Sequence, residues 1–329
     1  MIRVPKGLDR IDRIYKNACK VSKDQSLKKE ALLSATDCTE SHNRSAASPL
    51  LLVVAAAVLW STGGLFIKWT SLSGLELSFG RSLLAAITVA IFTWREGFGL
   101  NKVTALAAVL YAAVLLLFVL ATKETTAANA IFLQYTAPVY LLIFEPLFYK
   151  EKFRKTDLVV VIACVLGMSL FFVGKLRPQD VTGNLLALAS GLCFACYFLL
   201  LRHSTSRAVN RASSVIYGNL LLVLIAAPAG LKAIPQLTAH DSLSVIYLGV
   251  VQIGLAYTLF TAAMARGVRS LDAGIVGYIE PVLNPIWVFA VLGERPTQWA
   301  LIGGGIIVAA VVCHMLIDAR RGRQPAALP

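Results

Sequence analysis

Residues 135–153 read YTAPVYLLIFEPLFYKEKF and residues 278–296 read YIEPVLNPIWVFAVLGERP, and the two lie on one another at a constant offset of 143. Tyr135 falls on Tyr278, Pro138 on Pro281, Val139 on Val282 and Glu151 on Glu294. The match continues upstream in the same order: LWSTGGLFIK (59–68) aligns with CFACYFLLLR (193–202), and SFGRSLLA (78–85) with IYGNLLLV (216–223). The chain is a duplication, and the repeated unit is a series of apolar runs.

Composition says where such a unit resides. The 329 residues are 57% hydrophobic and 15% charged, with a mean hydropathy of +0.71, against roughly 45–50% apolar and about 25% charged in soluble domains. Ten apolar segments of spanning length follow Pro49: 50–69, 74–94, 103–122, 126–149, 157–174, 182–201, 212–231, 243–265, 270–292 and 297–317. The expected fold is an all-α polytopic membrane protein with ten transmembrane helices. The first repeat occupies 49–174 and the second 182–318. Five spans per repeat is an odd number, so the second copy enters the membrane from the opposite face, giving two inverted five-helix repeats. The short connections leave no room for a soluble catalytic domain.

Basic residues set the expected orientation. With the N-terminus inside, the inner loops and the tail 319–329 carry fourteen Lys and Arg residues and the outer loops six. Both termini are therefore expected in the cytoplasm, the protein being multi-pass in the cytoplasmic (inner) membrane. Residues 1–48 carry ten of the 31 Lys and Arg residues and no long apolar run. They read as a basic extension, disordered or lying on the membrane surface. The six cysteines lack disulfide-framework spacing, and the CxxC at Cys193 and Cys196 sits inside an apolar run, where two small soft side chains on a helix face are the simpler reading.

The chain resembles the EamA-type members of the drug/metabolite transporter superfamily. The resemblance is carried by LWSTGGLFIKW, FGRSLLAAI, TTAANAIFLQYTAPVY leading into LFYKEKF, and DAGIVGYIEPVLNPIWVFAVLGERPTQWALIGGGIIVA, and covers roughly residues 50–318. It implies a central cavity lined by the first four spans of each repeat, with the fifth and tenth peripheral. The fifth span agrees, since VVVIACVLGMSLFFV has no ionisable or amide side chain. His314 in the tenth span fits less well and reads as an interfacial histidine near the inner end.

Polar groups at mid-membrane are costly, roughly 2.5–3.5 kcal/mol on insertion scales, so they should face a cavity or a partner. Glu280 lies near the middle of the ninth span, where the first repeat has Ala137. It is expected to couple a proton or cation, or to anchor a substrate amine; a structural, neutralised carboxyl is the simpler alternative. Arg81 is deep in the second span and could meet Glu76, Glu280 or an anionic substrate group; its repeat mate is Asn219. Pro138, Pro281 and Pro285 free the carbonyls of Gln134, Gly277 and Pro281, and so should kink the fourth and ninth spans. Trp60, Gln134, Tyr135, Tyr217, Asn219, Gln252, Tyr257, Tyr278 and Asn284 complete the expected substrate-binding set, an aromatic and amide lining suited to an amphipathic solute or organic cation. For each of them, interhelical hydrogen bonding is the plainer explanation.

The run Gly303–Gly305, followed by Ala309, permits close packing, within the protomer or, as an alternative, in a homodimer. No phosphate loop, zinc-protease motif or clustered acid, base and nucleophile set is found, and the four histidines are scattered. The expected partners are a small-molecule substrate and the lipid bilayer, with no nucleic acid, cofactor or metal. The expected function is secondary transport of a small organic metabolite, such as an amino acid, by alternating access, as proton-coupled efflux. The alternatives are a lipid flippase of the same superfamily and a membrane-embedded enzyme.

Overall fold

The computed structural model describes residues 49–125, 127–150, 154–170, 173, 180–292 and 297–322. The extension 1–48, the Glu151 and Glu294 of the repeat match and the end of the tail lie outside the described residues. Among the described residues all regular structure is helical. In chain order α1 is Pro49–Trp60 with Gly63–Trp69, α2 Gly74–Thr93, α3 Lys102–Glu124, α4 Ala127–Gln134 with Ala137–Tyr149, and α5 Lys155–Leu170. The second half holds α6 Val181–Arg202, α7 Ser213–Ala233, α8 Ala239–Ala265, α9 Ser270–Gly277 with Ile279–Leu292, and α10 Gln298–Gly322. Nine of the ten are long and apolar enough to cross a membrane among the described residues, and α5 reaches 16 residues before that description stops. We call the end where α1 begins and α10 finishes the basal end, and its opposite the distal end.

Three helices break near mid-length, each for a local reason. In α1 the hydroxyls of Ser61 and Thr62 donate back to the carbonyls of Val58 and Leu59 at 2.6 and 2.7 Å, competing with the backbone ladder just before Gly63 and Gly64. In α4 the Thr136 hydroxyl donates to the Leu133 carbonyl at 2.7 Å and Pro138 withholds a donor, so helix resumes only at Ala137. In α9 the break falls at Tyr278, one turn before Pro281, while Pro285 lies within the resumed helix. The kinks expected at Pro138 and Pro281 are thus full interruptions. A fourth irregularity is a π-helical stretch, Tyr247–Leu255, inside α8, a feature frequent at functional sites.

Close backbone approach fixes the helices around these breaks. A methyl group on Gly191 of α6 would lie 2.6 Å from the Gln134 carbonyl, so the α4 break packs directly on α6. Likewise a methyl on Gly249 would lie 2.7 Å from the Arg81 carbonyl, which seats the π stretch of α8 on α2. In α10 the Gly303 carbonyl lies against Gly167 of α5; the glycine run serves contact between the two fifth helices of the repeats. Small residues at such crossings are how membrane helices gain packing without a hydrophobic drive between them.

The duplication is visible in space. An apolar groove of about 370 Å³ between α1, α8 and α9 is lined by Thr62, Leu65, Phe66, Trp69, Tyr247, Trp287 and Val291. A second, of about 460 Å³, lies between α6, α3 and α4 and includes Cys196, Leu199, Leu200, His203 and Phe148. Thr62, Leu65 and Phe66 map onto Cys196, Leu199 and Leu200 in the alignment of 59–68 with 193–202, Trp69 onto His203 one residue beyond it, and Val291 onto Phe148 at the offset of 143. Equivalent helices therefore form equivalent grooves, one toward each end of the bundle.

Candidate functional site

The central cavity sits where the broken helices meet. Trp60, Arg81, Val114, Leu115, Phe118, Gln134, Phe194, Gln252, Ile253, Tyr257 and Glu280 line it, and its volume is about 30 Å³, room for one or two waters. The bundle is therefore closed around its polar centre. Lining residues come from α1, α2, α3 and α4 of the first repeat and α6, α8 and α9 of the second. Trp60 and Phe194 are repeat mates, so the cavity straddles the pseudo-twofold axis.

Around this axis the two tyrosines of the opening alignment cross over. The Tyr135 hydroxyl donates to Glu280 Oε2 at 2.6 Å, and the Tyr278 hydroxyl donates to the Tyr135 carbonyl at 3.0 Å, with ring centroids 5.5 Å apart. The Tyr135 carbonyl is available because the Val139 amide, which would take it in an unbroken helix, bonds Thr136 instead. Each repeat thus supplies a donor to the broken helix of the other.

The remaining polar groups divide into anchored and unanchored atoms. Gln134 Nε2 donates to Ser190 Oγ at 2.7 Å, and that hydroxyl donates on to the Val114 carbonyl at 2.9 Å. Gln252 Nε2 reaches the Trp60 carbonyl at 3.4 Å. Arg81, 1% exposed, donates from Nη2 to the Leu115 carbonyl at 3.2 Å. Glu76 is not its partner, because that carboxylate caps its own helix by accepting the Ser73 amide at 2.7 Å. Nor does an ion pair join Arg81 to Glu280 among the described residues. Buried Trp60 Nε1, Arg81 Nε and Gln252 Oε1 have no hydrogen-bond partner. Three orphaned polar atoms from residues lining one cavity need explaining, since buried polar groups are as a rule satisfied.

The structure does not bring all the expected site residues together. Trp60, Arg81, Gln134, Gln252, Tyr257 and Glu280 line the cavity, and Tyr135 and Tyr278 stand behind it. Asn219 lies outside the lining and donates to the Tyr111 hydroxyl at 3.0 Å, steadying a ring that packs on Tyr257. Tyr217 is elsewhere: its hydroxyl donates to the Phe98 carbonyl in the α2–α3 connection at the basal end. Asn284 is half-buried and outside the cavity lining, and the Pro285 side chain lies outside the described residues. Sequence reasoning missed Phe194, whose signal was its alignment with Trp60, and Ser190, which carried none.

It also missed a second polar centre, near the basal end. Glu145 of α4 is fully buried between Arg202 of α6, at 2.7 Å, and Arg269 at the start of α9, at 2.9 Å. Arg269 also pairs with Asp157 of α5 at 2.6 Å and approaches Asp272 at 3.6 Å. His314 of α10 places Nε2 3.1 Å from Asp272 Oδ1 and Nδ1 4.0 Å from Asp157 Oδ1. His314 is 3% exposed and not an interfacial histidine, and Arg202 at the end of α6 and Arg269 in the α8–α9 connection are ion-paired within the bundle. Among the described residues, α5 and α10 contribute nothing to the cavity lining, yet both enter this cluster.

Comparison with known proteins adds an independent line. The EamA-like transporter family matches residues 47–173 and again 181–316, once per repeat. The threonine/homoserine exporter RhtA of Escherichia coli (strain K12) is 30% identical over 200 residues, which cover 59% of this chain and 64% of that protein, less than two thirds of its length. An uncharacterized transporter of Archaeoglobus fulgidus is 25% identical over 79% of this chain and 95% of its own. A solved crystal structure superposes with a TM-score of 0.72 at 20% identity, covering 85% of this chain and 100% of the other, which shows the fold.

Proposed function

The chain belongs to the EamA-like transporter family, and we propose that it is a secondary transporter exporting a small zwitterionic solute of the amino acid type. The observation that carries this reading is the pairing of opposite charges without contact: Arg81 and Glu280 line one cavity, no ion pair joins them, and Trp60 Nε1, Arg81 Nε and Gln252 Oε1 have no partner. A carboxylate suits the Trp60 and Arg81 donors, and an ammonium suits Glu280 and the Gln252 oxygen. The aromatic walls of Trp60, Phe194 and Tyr257 take the aliphatic remainder. A cavity of about 30 Å³ holds no such solute, so binding requires the halves to part. In alternating access, α3, α4, α8 and α9 part at one end while the other stays sealed.

Glu280 is also the coupling carboxylate in this scheme. Proton and substrate amine compete for the same oxygens, so a proton taken from outside displaces the solute and reloads the carrier. The excess of basic residues supports a cytoplasmic basal end, with both termini on that side. The name of the Escherichia coli relative supports the amino acid class. The lipid flippase reading requires the substrate to pass a lateral opening; the two apolar grooves have no lining residue in common with the polar cavity, which favours a water-soluble solute.

Exchange of labelled L-threonine and L-homoserine in proteoliposomes tests the reading. Wild type should accumulate either solute when driven by an imposed pH gradient, Arg81→Gln should lose exchange altogether, and Glu280→Gln should lose the response to the gradient. Unchanged exchange in Arg81→Gln would remove the zwitterion site.

A further inference from the structure

The basal end holds a second polar pocket, which shares no lining residue with the central cavity and none with the buried ion pairs. It measures about 250 Å³ and lies where α2 ends, α7 begins and α8 ends, with Thr93, Glu96, Arg211, Thr258, Thr261 and Arg266 in its lining. The central cavity of the closed bundle measures about 30 Å³. The basal pocket therefore has the room for a small solute that the centre lacks.

Its charges are of both signs. Glu96 and Arg266 are exposed, and among the described residues neither side chain makes a hydrogen bond or an ion pair. A carboxylate and a guanidinium that line one pocket without joining are both open to a solute. Arg211 is held to the bundle through Nε, which donates to the Leu201 carbonyl at 2.8 Å, and adds positive charge. The hydroxyls of Thr93, Thr258 and Thr261 donate to carbonyls of their own helices at 2.8, 2.7 and 2.8 Å, which leaves their oxygens as acceptors. One wall is already fixed: Asn210 Nδ2 donates to the Gly97 carbonyl at 3.1 Å, and its Oδ1 accepts the Ala212 amide at 2.9 Å. The α2–α3 and α6–α7 connections are thus tied together without a solute.

We infer that the basal pocket is a loading site for the transported zwitterion: Arg266 takes its carboxylate, and Glu96 with the threonine oxygens takes its ammonium, before the solute moves on to the central cavity. The inference rests on the amino acid class proposed above. Two observations support a place on the transport route. First, α8 serves both sites, since Tyr257 lines the centre and Thr261, four residues on, lines the pocket, about 6 Å further along the helix axis. Second, the repeat mates at the distal end lack this chemistry. At the offset of 138 that aligns 78–85 with 216–223, Thr93 and Glu96 fall on Leu231 and Ile234, and Arg211 falls on Ser73. Lys123, the mate of Arg266 at the offset of 143, donates to the Thr70 carbonyl at 3.3 Å. Recognition built at one end loads the carrier from that end, and with a cytoplasmic basal end it favours export.

Occupancy of the pocket is readable by protection of a thiol. Ala265 is exposed in the lining, and a cysteine replacing it, in full-length protein otherwise free of cysteine and held in lipid nanodiscs, reports through its rate of alkylation by a maleimide. Rates with and without solute are compared within each variant at constant ionic strength. L-threonine or L-homoserine in the millimolar range should slow alkylation severalfold, and the slowing should persist with Arg81→Gln, which removes the central site. Glu96→Gln and Arg266→Gln, both at exposed positions that leave the fold intact, should each abolish it. Propionate or ethanolamine alone should not protect. Equal protection by propionate or inorganic phosphate would make the pocket a plain anion site. Protection lost with Arg81→Gln would trace it to the centre, and protection kept in both Glu96→Gln and Arg266→Gln would trace it elsewhere in the molecule. Each of these three results overturns the inference. Exchange without protection overturns this inference alone, and protection without exchange overturns the proposed function alone.

Discussion

Tyr135 and Tyr278 are repeat mates, and each sends its hydroxyl across the pseudo-twofold axis, one to a carboxylate and the other to a carbonyl. Geometry is shared; chemistry is not, because Glu280 replaces what is Ala137 in the first copy. Removing the Tyr135 hydroxyl takes the donor from a buried carboxylate oxygen, a loss of about 1–3 kcal/mol and more where the acceptor is charged. Removing that of Tyr278 leaves a carbonyl short of one neutral bond, about 1 kcal/mol. Tyr135→Phe should therefore reduce pH-driven exchange in proteoliposomes by at least roughly tenfold, while Tyr278→Phe leaves the coupling intact and lowers only the melting temperature. Equal losses of coupling in the two variants would mean that the Glu280 contact has no special part. The Arg81 side is read the same way: Arg81→Lys keeps the charge but not the planar fork. It should retain a weakened exchange, measured as a raised KM with a smaller fall in maximal rate.

The helices show which features of the chain were legible and which were not. Among the described residues nine spans were found from hydropathy to within a few residues, because a chain that must satisfy its backbone in lipid has little choice but helix. The breaks at α4 and α9 were legible through Pro138 and Pro281, whereas the break in α1 depends on two hydroxyls and two glycines whose signal is weak. Glu145 and Asp157 were illegible for a physical reason: each stands near a span end beside basic residues, where a charge is ordinarily solvated. Their burial arises only when five helix ends converge. Tyr217 erred in the opposite direction, since depth within a span does not say which face points inward. Close packing at the α4 break yields an element-level prediction. Gly191→Ala forces a methyl to 2.6 Å from the Gln134 carbonyl, and overpacking of this kind costs about 1–3 kcal/mol. Gly305→Ala on α10 meets open space and gains helix propensity of up to about 1 kcal/mol. Thermal unfolding in detergent should fall for the first and hold or rise for the second; a tolerated Gly191→Ala would show that the break can move.

At the scale of the molecule, the two ends of the bundle are sealed by different chemistry. At the distal end Lys68 donates to the Thr125 carbonyl at 2.9 Å, Lys123 to the Thr70 carbonyl at 3.3 Å, and Asp241 accepts from Thr70, Ser71 and Thr238. At the basal end the repeat mate of Lys68 is Arg202, and there the contacts are ion pairs to the buried carboxylates of Glu145 and Asp157. The mate of Asp272 is Asn129, an amide that makes no ion pair. Symmetry supplies the two conformations, and these substitutions weight them. Breaking one member of a buried ion network costs roughly 3–5 kcal/mol, whereas a lysine-to-carbonyl contact is worth about 1.5–3 kcal/mol, so the basal seal resists opening more strongly than the distal one. Arg269→Gln removes the cation that Glu145, Asp157 and Asp272 share and should shift the population toward the basal-open form. A cysteine replacing Ala273, buried beside Asp272, in a protein otherwise free of cysteine should then be alkylated by a membrane-impermeant maleimide on the order of a hundredfold faster, the ratio that about 3 kcal/mol gives, and from one side of the membrane only. Lys68→Gln in the same background should leave that rate unchanged or lower it, because it loosens the opposite end. If both variants accelerate labelling alike, the substitutions are loosening the fold as a whole and the difference between the two seals does not set which way the carrier rests.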